Sequence, residues 1–213
     1  MKGEKISEVT TNRLSVYLRC LNELENEDVK TISSEDLAKR FHLKSAQIRK
    51  DLACFGEFGV RGVGYVVKEL KAAIRKILGL DKNHRVAIIG AGRLGTALAD
   101  YYRLTQTNFH VVALFDADQT KISTKLGDIG IFGLEEFGVI AKEKEIDVAV
   151  IAVPAEYAQD VLNLVSSEGI KAVMNFAPTP LKAGEGVKLN TVDLTISLES
   201  LSYFLAQPVN EGR

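Results

Sequence analysis

Three glycines in the middle of the chain have the spacing of a phosphate-binding turn. They occur in the segment Gly90-Ala91-Gly92-Arg93-Leu94-Gly95, directly after the apolar run 86–89, which predicts a buried strand. Gly90 would form a tight turn, Gly92 would let the backbone approach a pyrophosphate, and Gly95 would let the next helix pack closely on the sheet. The helix N-terminus would add free N–H groups and the positive end of its dipole. The segment therefore predicts a dinucleotide site.

An acidic residue follows where such a site needs one. A second apolar run, 111–115, ends in Asp116, roughly 20 to 26 residues beyond the glycines. A carboxylate at this place accepts hydrogen bonds from ribose hydroxyls and repels a 2′-phosphate. A glycine-rich turn that binds nothing is the alternative, but strand, turn, helix, strand and acid all occur in the expected order.

The alternation of strands and helices continues beyond Asp116 and predicts an α/β fold with a doubly wound parallel sheet. The apolar runs 146–153, 172–176 and 187–194 would be further strands. Ligands of such sheets lie at the carboxyl ends of the strands, although each of these ends could equally be a plain strand end. Two of the ends add candidates to the cofactor site, namely Val153, Pro154, Phe176 and Ala177.

A second group of residues, near the N-terminus, has the chemistry to bind DNA. Leucines recur at helical spacing over 12–25, and Ser33 with Asp36 is close to a capping box that would begin a second helix. A third helix, 46–55, would have Ser45 as its N-cap. Three helices, the last two joined by a short turn, predict a helix-turn-helix.

The outer face of the third predicted helix carries Gln47, Arg49 and Lys50. Glutamine can pair with an adenine edge, arginine with guanine or phosphate, and lysine with phosphate. An ordinary solvated helix face has a similar composition, so the interpretation depends on the neighbouring segment. That segment, 58–65, alternates glycine with β-branched or aromatic residues and predicts a hairpin with Arg61-Gly62 at its tip.

A narrow hairpin tip with one arginine fits the minor groove, where negative potential is deepest in A·T tracts. A surface arginine on a flexible loop is the alternative. A hairpin that follows a helix-turn-helix defines a winged-helix domain. The candidate DNA contacts are therefore Ser45, Gln47, Arg49, Lys50, Arg61, Gly62 and Tyr65.

The distribution of charge also divides the chain. Residues 1–76 include 15 basic and 11 acidic side chains, a net charge of +4, whereas the whole chain has −1 and the remainder therefore −5. This asymmetry indicates two domains with different partners. We predict a winged helix-turn-helix over 1–80 and a Rossmann domain over 81–195. The tail, 196–213, would form a helix that is apolar on nearly every side and needs burial against its own sheet or a second subunit.

Several protein classes are disfavoured. No run approaches the ~20 apolar residues of a membrane span and no apolar leader follows Met1, so we expect a cytoplasmic protein without a membrane partner. Cys20 and Cys54 lack metal-ligand spacing, so we expect no metal and two reduced thiols, with a thiol redox switch as the alternative. The histidines at 42, 84 and 110 lie away from the carboxyl ends of the predicted strands, and little chain remains for a substrate domain. We therefore expect no catalytic residues.

Four motifs, taken in order, resemble the Rex family of redox-sensing transcriptional repressors. They are Gln47-Ile48-Arg49-Lys50-Asp51-Leu52, Arg61-Gly62-Val63-Gly64-Tyr65, the glycine turn 90–95 and Asn175-Phe176-Ala177-Pro178. The resemblance covers essentially the whole chain. It implies a homodimeric repressor that senses NADH against NAD+, with the C-terminal helix exchanged between subunits. It also implies a switch network that, by motif position, would comprise Arg19, Tyr101 and Asp193, with Tyr102 as a near-duplicate of Tyr101.

Three functions remain open on the sequence. The first is a repressor that holds double-stranded operator DNA with an inverted repeat and is released by NADH. The second is a repressor of the same build that senses another nucleotide, such as coenzyme A, although Asp116 argues against an effector with a ribose phosphate at that place. The third is a small NAD-dependent dehydrogenase, which would need an acid/base group that the sequence does not supply at a strand end.

Overall fold

The structure is a computed structural model that describes residues 6–60, 62–105 and 107–206. The chain divides into two compact units, Met1–Lys82 and Asn83–Arg213. The second unit holds a mixed sheet with helices, so the α/β fold class predicted from the sequence is confirmed. No helix in the described part of the chain has both the length and the apolar character needed to cross a bilayer.

The N-terminal unit is helical, with a small two-stranded sheet. One apolar core joins its elements, and leucines of the first helix such as Leu14, Leu21 and Leu24 are fully buried in it. The strands pair antiparallel, with Ile32 opposite Tyr65. The elements are α1 (Glu8–Asn26), β1 (Thr31–Ile32), α2 (Ser34–Arg40), α3 (Ser45–Ala53), β2 (Tyr65–Val66) and α4 (Val67–Ile77).

The helix starts differ from the sequence prediction at two places. Helix α1 begins four residues early because Ser7 caps it, accepting a hydrogen bond from the Thr10 amide. Helix α3 includes Ser45 and is capped by Lys44, whose carbonyl accepts hydrogen bonds from the amides of Gln47 and Ile48. The prediction that Ser45 is the N-cap was therefore wrong. The predicted start of α2 is confirmed, since Ser33 accepts a hydrogen bond from the Asp36 amide.

The C-terminal unit is built on a seven-stranded sheet in the order β5-β6-β4-β3-β7-β8-β9. All neighbouring strands are parallel except β5 and β6. Without β5, this is the strand order of a dinucleotide-binding doubly wound sheet. The elements are β3 (His84–Ile89), α5 (Arg93–Leu104), β4 (Phe109–Asp116), β5 (Lys125–Leu126), β6 (Ile129–Gly133), α6 (Phe137–Glu143), β7 (Val148–Ile151), α7 (Ala155–Ser167), β8 (Ala172–Asn175), β9 (Lys188–Thr191) and α8 (Leu194–Ala206).

Strand β3 is the central strand of this sheet. It lies at the topological switch point, where the strand order reverses direction. It pairs with β4 on one side and β7 on the other, so the chain leaves β3 between two strands whose connections run in opposite directions. Its residues alternate between two apolar clusters, with Ile89 in one and Ile88 in the other. Burial on both faces explains why this strand has a continuous apolar run.

Helix α8 begins at Leu194, two residues before the predicted tail helix 196–213, and β9 ends at Thr191 instead of continuing to Leu194. The side chain of Asp193 causes the earlier start, because its Oδ1 accepts hydrogen bonds from the amides of Thr195 and Ile196. None of the described residues of α8 is buried, and its large apolar side chains, such as those of Leu198, Phe204 and Leu205, are 60–87% exposed.

Candidate functional site

Two of the three glycines in the predicted turn are required by the fold. Gly90 has a φ of +104°, and a Cβ there would lie 2.4 Å from the carbonyl oxygen of Ala152 on the neighbouring chain segment. A Cβ on Gly95 would lie 1.8 Å from the carbonyl oxygen of Gly90. These contacts fit the predicted roles of a tight turn and a close packing of α5 on the sheet.

Gly92 is different, because neither strain nor packing among the described residues requires a glycine there. It is the N-cap of α5, its φ is an ordinary −83°, and a Cβ at this position would meet no described atom within 4 Å. The space beside it is therefore available to a ligand. A pyrophosphate at a helix N-terminus needs this kind of close backbone approach, so the turn fits a dinucleotide.

Asp116 ends β4 and its carboxylate is bound to the glycine turn. Its Oδ2 accepts a hydrogen bond from the Ala91 amide at 2.9 Å, and its Oδ1 accepts one from the Asp118 amide at 2.9 Å. The side chain is only 13% exposed. Asp116 thus holds the turn in place, while its Oδ1, which accepts one hydrogen bond, keeps a lone pair that could accept a ribose hydroxyl.

Lys121 is a residue of this site that the sequence analysis missed. Its Nζ lies 3.0 Å from Asp116 Oδ2 and 3.8 Å from Asp118 Oδ2. The hydrogen bond to Asp116 raises the pKa of Lys121, so the ammonium is retained at neutral pH. The positive charge of Lys121 therefore partly offsets the negative charge of Asp116, and with it the predicted repulsion of a 2′-phosphate. A lysine five residues after the strand-ending acid was the available signal.

These residues line a cavity of about 670 Å³ at the carboxyl ends of β3, β4 and β7. One wall is apolar and includes Val153 and Pro154, two of the candidate cofactor residues, together with Tyr157 and Leu164 of α7. A largely apolar cavity with a few polar groups is typical of a cofactor site. Its lining residues are Ile89, Gly90, Gly92, Asp116, Ala117, Asp118, Lys121, Leu134, Ala152, Val153, Pro154, Tyr157, Asp160, Val161 and Leu164.

Phe176 and Ala177, the other two strand-end candidates, do not line this cavity. Ala177 is buried, and its amide donates to Asn175 Oδ1 at 2.9 Å while its carbonyl accepts from Asn175 Nδ2 at 3.0 Å. Phe176 packs partly buried against the cluster that contains Ile88. The buried Asn175 therefore fixes the loop after β8.

The predicted DNA-facing residues of α3 have different environments. Lys50 is exposed. The Arg49 guanidinium is tied to α2, where it donates to Ser34 Oγ at 2.8 Å and to Glu35 Oε1 at 2.5 Å. Gln47 is half-buried, and its amide nitrogen donates to Asp51 Oδ1 at 2.8 Å. Phosphate or base contacts by Arg49 would compete with its bonds to α2.

At the predicted wing, 58–65, an isolated antiparallel bridge joins Val60 and Gly64. Gly62 has a φ of +85° and no described atom near the position of its missing Cβ, as suits a hairpin tip. Arg61 lies outside the described residues. Tyr65 is only 8% exposed and pairs with Ile32, so its side chain packs within the unit.

The three residues of the implied switch network are divided between the two units. Arg19 is exposed on α1 of the N-terminal unit. In the C-terminal unit, Tyr101 is exposed on α5 and meets the Tyr102 ring edge-to-face, with the centroids 5.4 Å apart. Asp193 caps α8. Burial raises the pKa of the Tyr102 hydroxyl.

The cysteines and metal candidates add no further site. Cys20 is buried, which raises the pKa of its thiol, and Cys54 is exposed; both are free thiols. Within the described ranges, no three metal-ligating side chains come together.

A winged-helix unit and a dinucleotide-type Rossmann unit in one chain define the class of nucleotide-responsive DNA-binding regulators. Two family models match in the corresponding places, "Putative DNA-binding protein N-terminus" over residues 5–53 and "CoA binding domain" over residues 81–179. Proteins named redox-sensing transcriptional repressor Rex match almost end to end. That of Carboxydothermus hydrogenoformans is 45% identical over 95% of this chain and 98% of its own length. That of Syntrophomonas wolfei is 47% identical over 97% and 98%, respectively.

Solved structures give the same result. The repressor RSP in complex with β-NAD+ and operator DNA has a TM-score of 0.91 and 37% identity, over 95% of this chain and 94% of that one. RSP in complex with β-NADH has a TM-score of 0.83 and 36% identity, over 95% of both chains. The chain belongs to the Rex family of redox-sensing transcriptional repressors. This confirms the resemblance seen in the motifs and makes the chain a regulator, not an enzyme.

Proposed function

We propose that this chain binds an inverted-repeat operator as a homodimer and releases it when NADH occupies the Rossmann site. The observation that carries the proposal is Gly92, an unstrained glycine with open space beside it, at a helix N-terminus next to Asp116. RSP, which matches this chain over nearly its whole length, has been solved with β-NAD+ and operator DNA and with β-NADH. The domain assignment, 1–80 for DNA and 81–195 for the dinucleotide, is part of the proposal, as is a cytoplasmic location.

In this proposal each part of the site has one task. The amides at the start of α5 bind the pyrophosphate, Asp116 accepts a ribose hydroxyl, and the α7 wall excludes water from the rings. The nicotinamide supplies the signal, because its ring is positively charged in NAD+ and neutral in NADH. Val153 and Pro154 form an apolar surface at a strand end, which favours the neutral ring.

The homodimer is proposed from helix α8. All of its described residues are exposed, although most are apolar, and a helix of this kind needs a cover. A second subunit would supply that cover by exchange of residues 196–213. Arg19, Tyr101 and Asp193 would then bias the dimer between an open form, which matches two half-sites, and a closed form, which does not. A coupling of about 1–3 kcal/mol, or about 5- to 150-fold in operator affinity, is enough for regulation.

Coenzyme A is a second candidate effector, because the family model that matches residues 81–179 describes a CoA binding domain. Lys121 adds a cation that could pair with a ribose phosphate. A fluorescence titration of the purified protein with NADH, NAD+, NADPH and coenzyme A separates the candidates. We expect NADH to bind most tightly and coenzyme A not to displace it. Displacement of NADH by coenzyme A at lower concentration would contradict the proposal.

A further inference from the structure

Asp51 on α3 is a buried carboxylate that accepts four hydrogen bonds from side chains. Its side chain is 3% exposed. Arg13 donates from both Nε and Nη2, at 2.5 and 2.6 Å, and Tyr17 donates its hydroxyl at 2.8 Å. The fourth donor is Gln47, one turn earlier on the same helix, at 2.8 Å. This cluster joins α3 to α1 through side chains far apart in sequence.

The negative charge of Asp51 determines which end of the Gln47 amide points toward it. Burial alone would raise the pKa of Asp51, but the hydrogen bonds from Arg13, Tyr17 and Gln47 outweigh burial and lower it. The carboxylate is therefore ionised at neutral pH and can only accept hydrogen bonds. The Gln47 amide must turn its NH₂ group toward Asp51, and its oxygen must turn away. An amide that is free to rotate would present either group.

Arg13 is enough to prevent the carboxylate itself from turning, because it binds both oxygens in a bidentate pair. Tyr17 adds one hydrogen bond to Oδ2, the oxygen that Gln47 does not use. The orientation of Gln47 is thus set from inside the unit. Gln47 lies on the face that the sequence analysis assigned to base readout.

We propose that Asp51 is a positioning residue that fixes the hydrogen-bonding sense of Gln47, so that α3 offers an amide oxygen to the major groove. This inference rests on the proposed operator binding. An oxygen accepts from a base amino group, and only adenine and cytosine present one in the major groove. Guanine and thymine present acceptors to it, so we expect them to be disfavoured at the base that Gln47 contacts.

The test is a selection of randomised half-sites with the full-length protein, in wild-type form and with Gln47→Ala. The position whose base preference disappears with Gln47→Ala is the one that Gln47 reads. We expect the wild type to prefer adenine or cytosine there by at least about fivefold. A wild-type preference for guanine or thymine at that position overturns the proposal, and this arm needs no change to the buried cluster.

Asp51→Asn tests the positioning role directly. An asparagine can donate as well as accept, so Gln47 can reverse, and we expect the preference at its position to fall at least about fivefold while preferences elsewhere remain. Tyr17→Phe keeps the Asp51–Gln47 bond and is the matched control, with its preference unchanged. In the Gln47→Ala background, Asp51→Asn should change nothing further at that position.

Three results would overturn the proposal. A uniform loss of affinity for all half-sites with Asp51→Asn would give Asp51 a structural role alone. A further change at that position in the double variant would mean that Asp51 acts without Gln47. Unchanged preferences with Gln47→Ala would mean that Gln47 reads no base. In the last case, NADH-dependent release of operator by the same variant would still support the proposed function.

Discussion

The proposed pyrophosphate turn is made of backbone, whereas the predicted base-reading surface of α3 depends on side chains that hold other side chains. At the glycine turn, the groups offered to a ligand are amides at the start of α5, and the decisive feature of Gly92 is the open space beside it. On α3, Arg49 is tied to α2 and Gln47 to Asp51. A phosphate site built from backbone should be disrupted by an added side chain. A base-reading surface should instead be disrupted when the side chains that hold its residues in place are removed.

The largest effect on NADH binding is expected when a side chain is added at Gly92. Gly92→Val should weaken NADH binding by about 100-fold, or about 3 kcal/mol, because the new side chain fills the space beside the pyrophosphate. The melting temperature should stay near that of the wild type, since the position is open and unstrained. Fluorescence titration and thermal melting measure both quantities.

Gly95→Val is the matched contrast within the same turn. Its Cβ would meet the Gly90 carbonyl, so it should lower the free energy of unfolding by about 3 kcal/mol as well as disturb NADH binding. If both variants lose stability equally, Gly92 is a packing glycine and the pyrophosphate has been misplaced.

An intermediate effect is expected at the wing. Arg61→Ala should weaken operator binding about tenfold through loss of the minor-groove contact, with NADH affinity nearly intact. A gel shift measures the former. Lys142→Ala removes an exposed positive charge from the other unit and should leave the gel shift unchanged. An unaffected gel shift with Arg61→Ala would rule out the wing contact.

The smallest effect concerns the choice between NADH and NADPH. Asp116→Ala should narrow the preference for NADH by about three- to fivefold, because it removes repulsion of the 2′-phosphate and frees Lys121 to bind it. Lys121→Met should act in the opposite direction and widen the preference. The ratio of the two dissociation constants measures this, and a ratio unchanged in both variants would remove Asp116 and Lys121 from the ribose site.

The sequence predicts the sheet and the glycine turn well because the requirements are local. The turn, α5 and the acid at the end of β4 all lie within one short stretch, and burial on both faces gives β3 its apolar run. The cofactor site itself stays a prediction. Lys121 was missed because a lysine in a polar loop looks solvated until the loop brings it to Asp116.

The cluster around Asp51 could not be predicted from its own stretch of sequence. Arg13 is 38 residues away from Asp51, and the two meet only when α1 and α3 pack. Tyr65 was likewise predicted as a DNA contact on the wing, because its burial depends on a distant segment. The pairing of β2 with β1 buries it. The start of α8 was placed too late because the predicted strand 187–194 included Asp193, which in the structure caps the helix.

The most direct test of the account is the affinity of the full-length protein for its operator as NADH replaces NAD+ at a constant total concentration. Fluorescence anisotropy of a labelled operator gives the dissociation constant at each ratio. We predict that it rises about 5- to 150-fold as the dinucleotide becomes fully reduced, and that Gly92→Val abolishes the rise. A dissociation constant that is the same in NADH and in NAD+ would contradict the account.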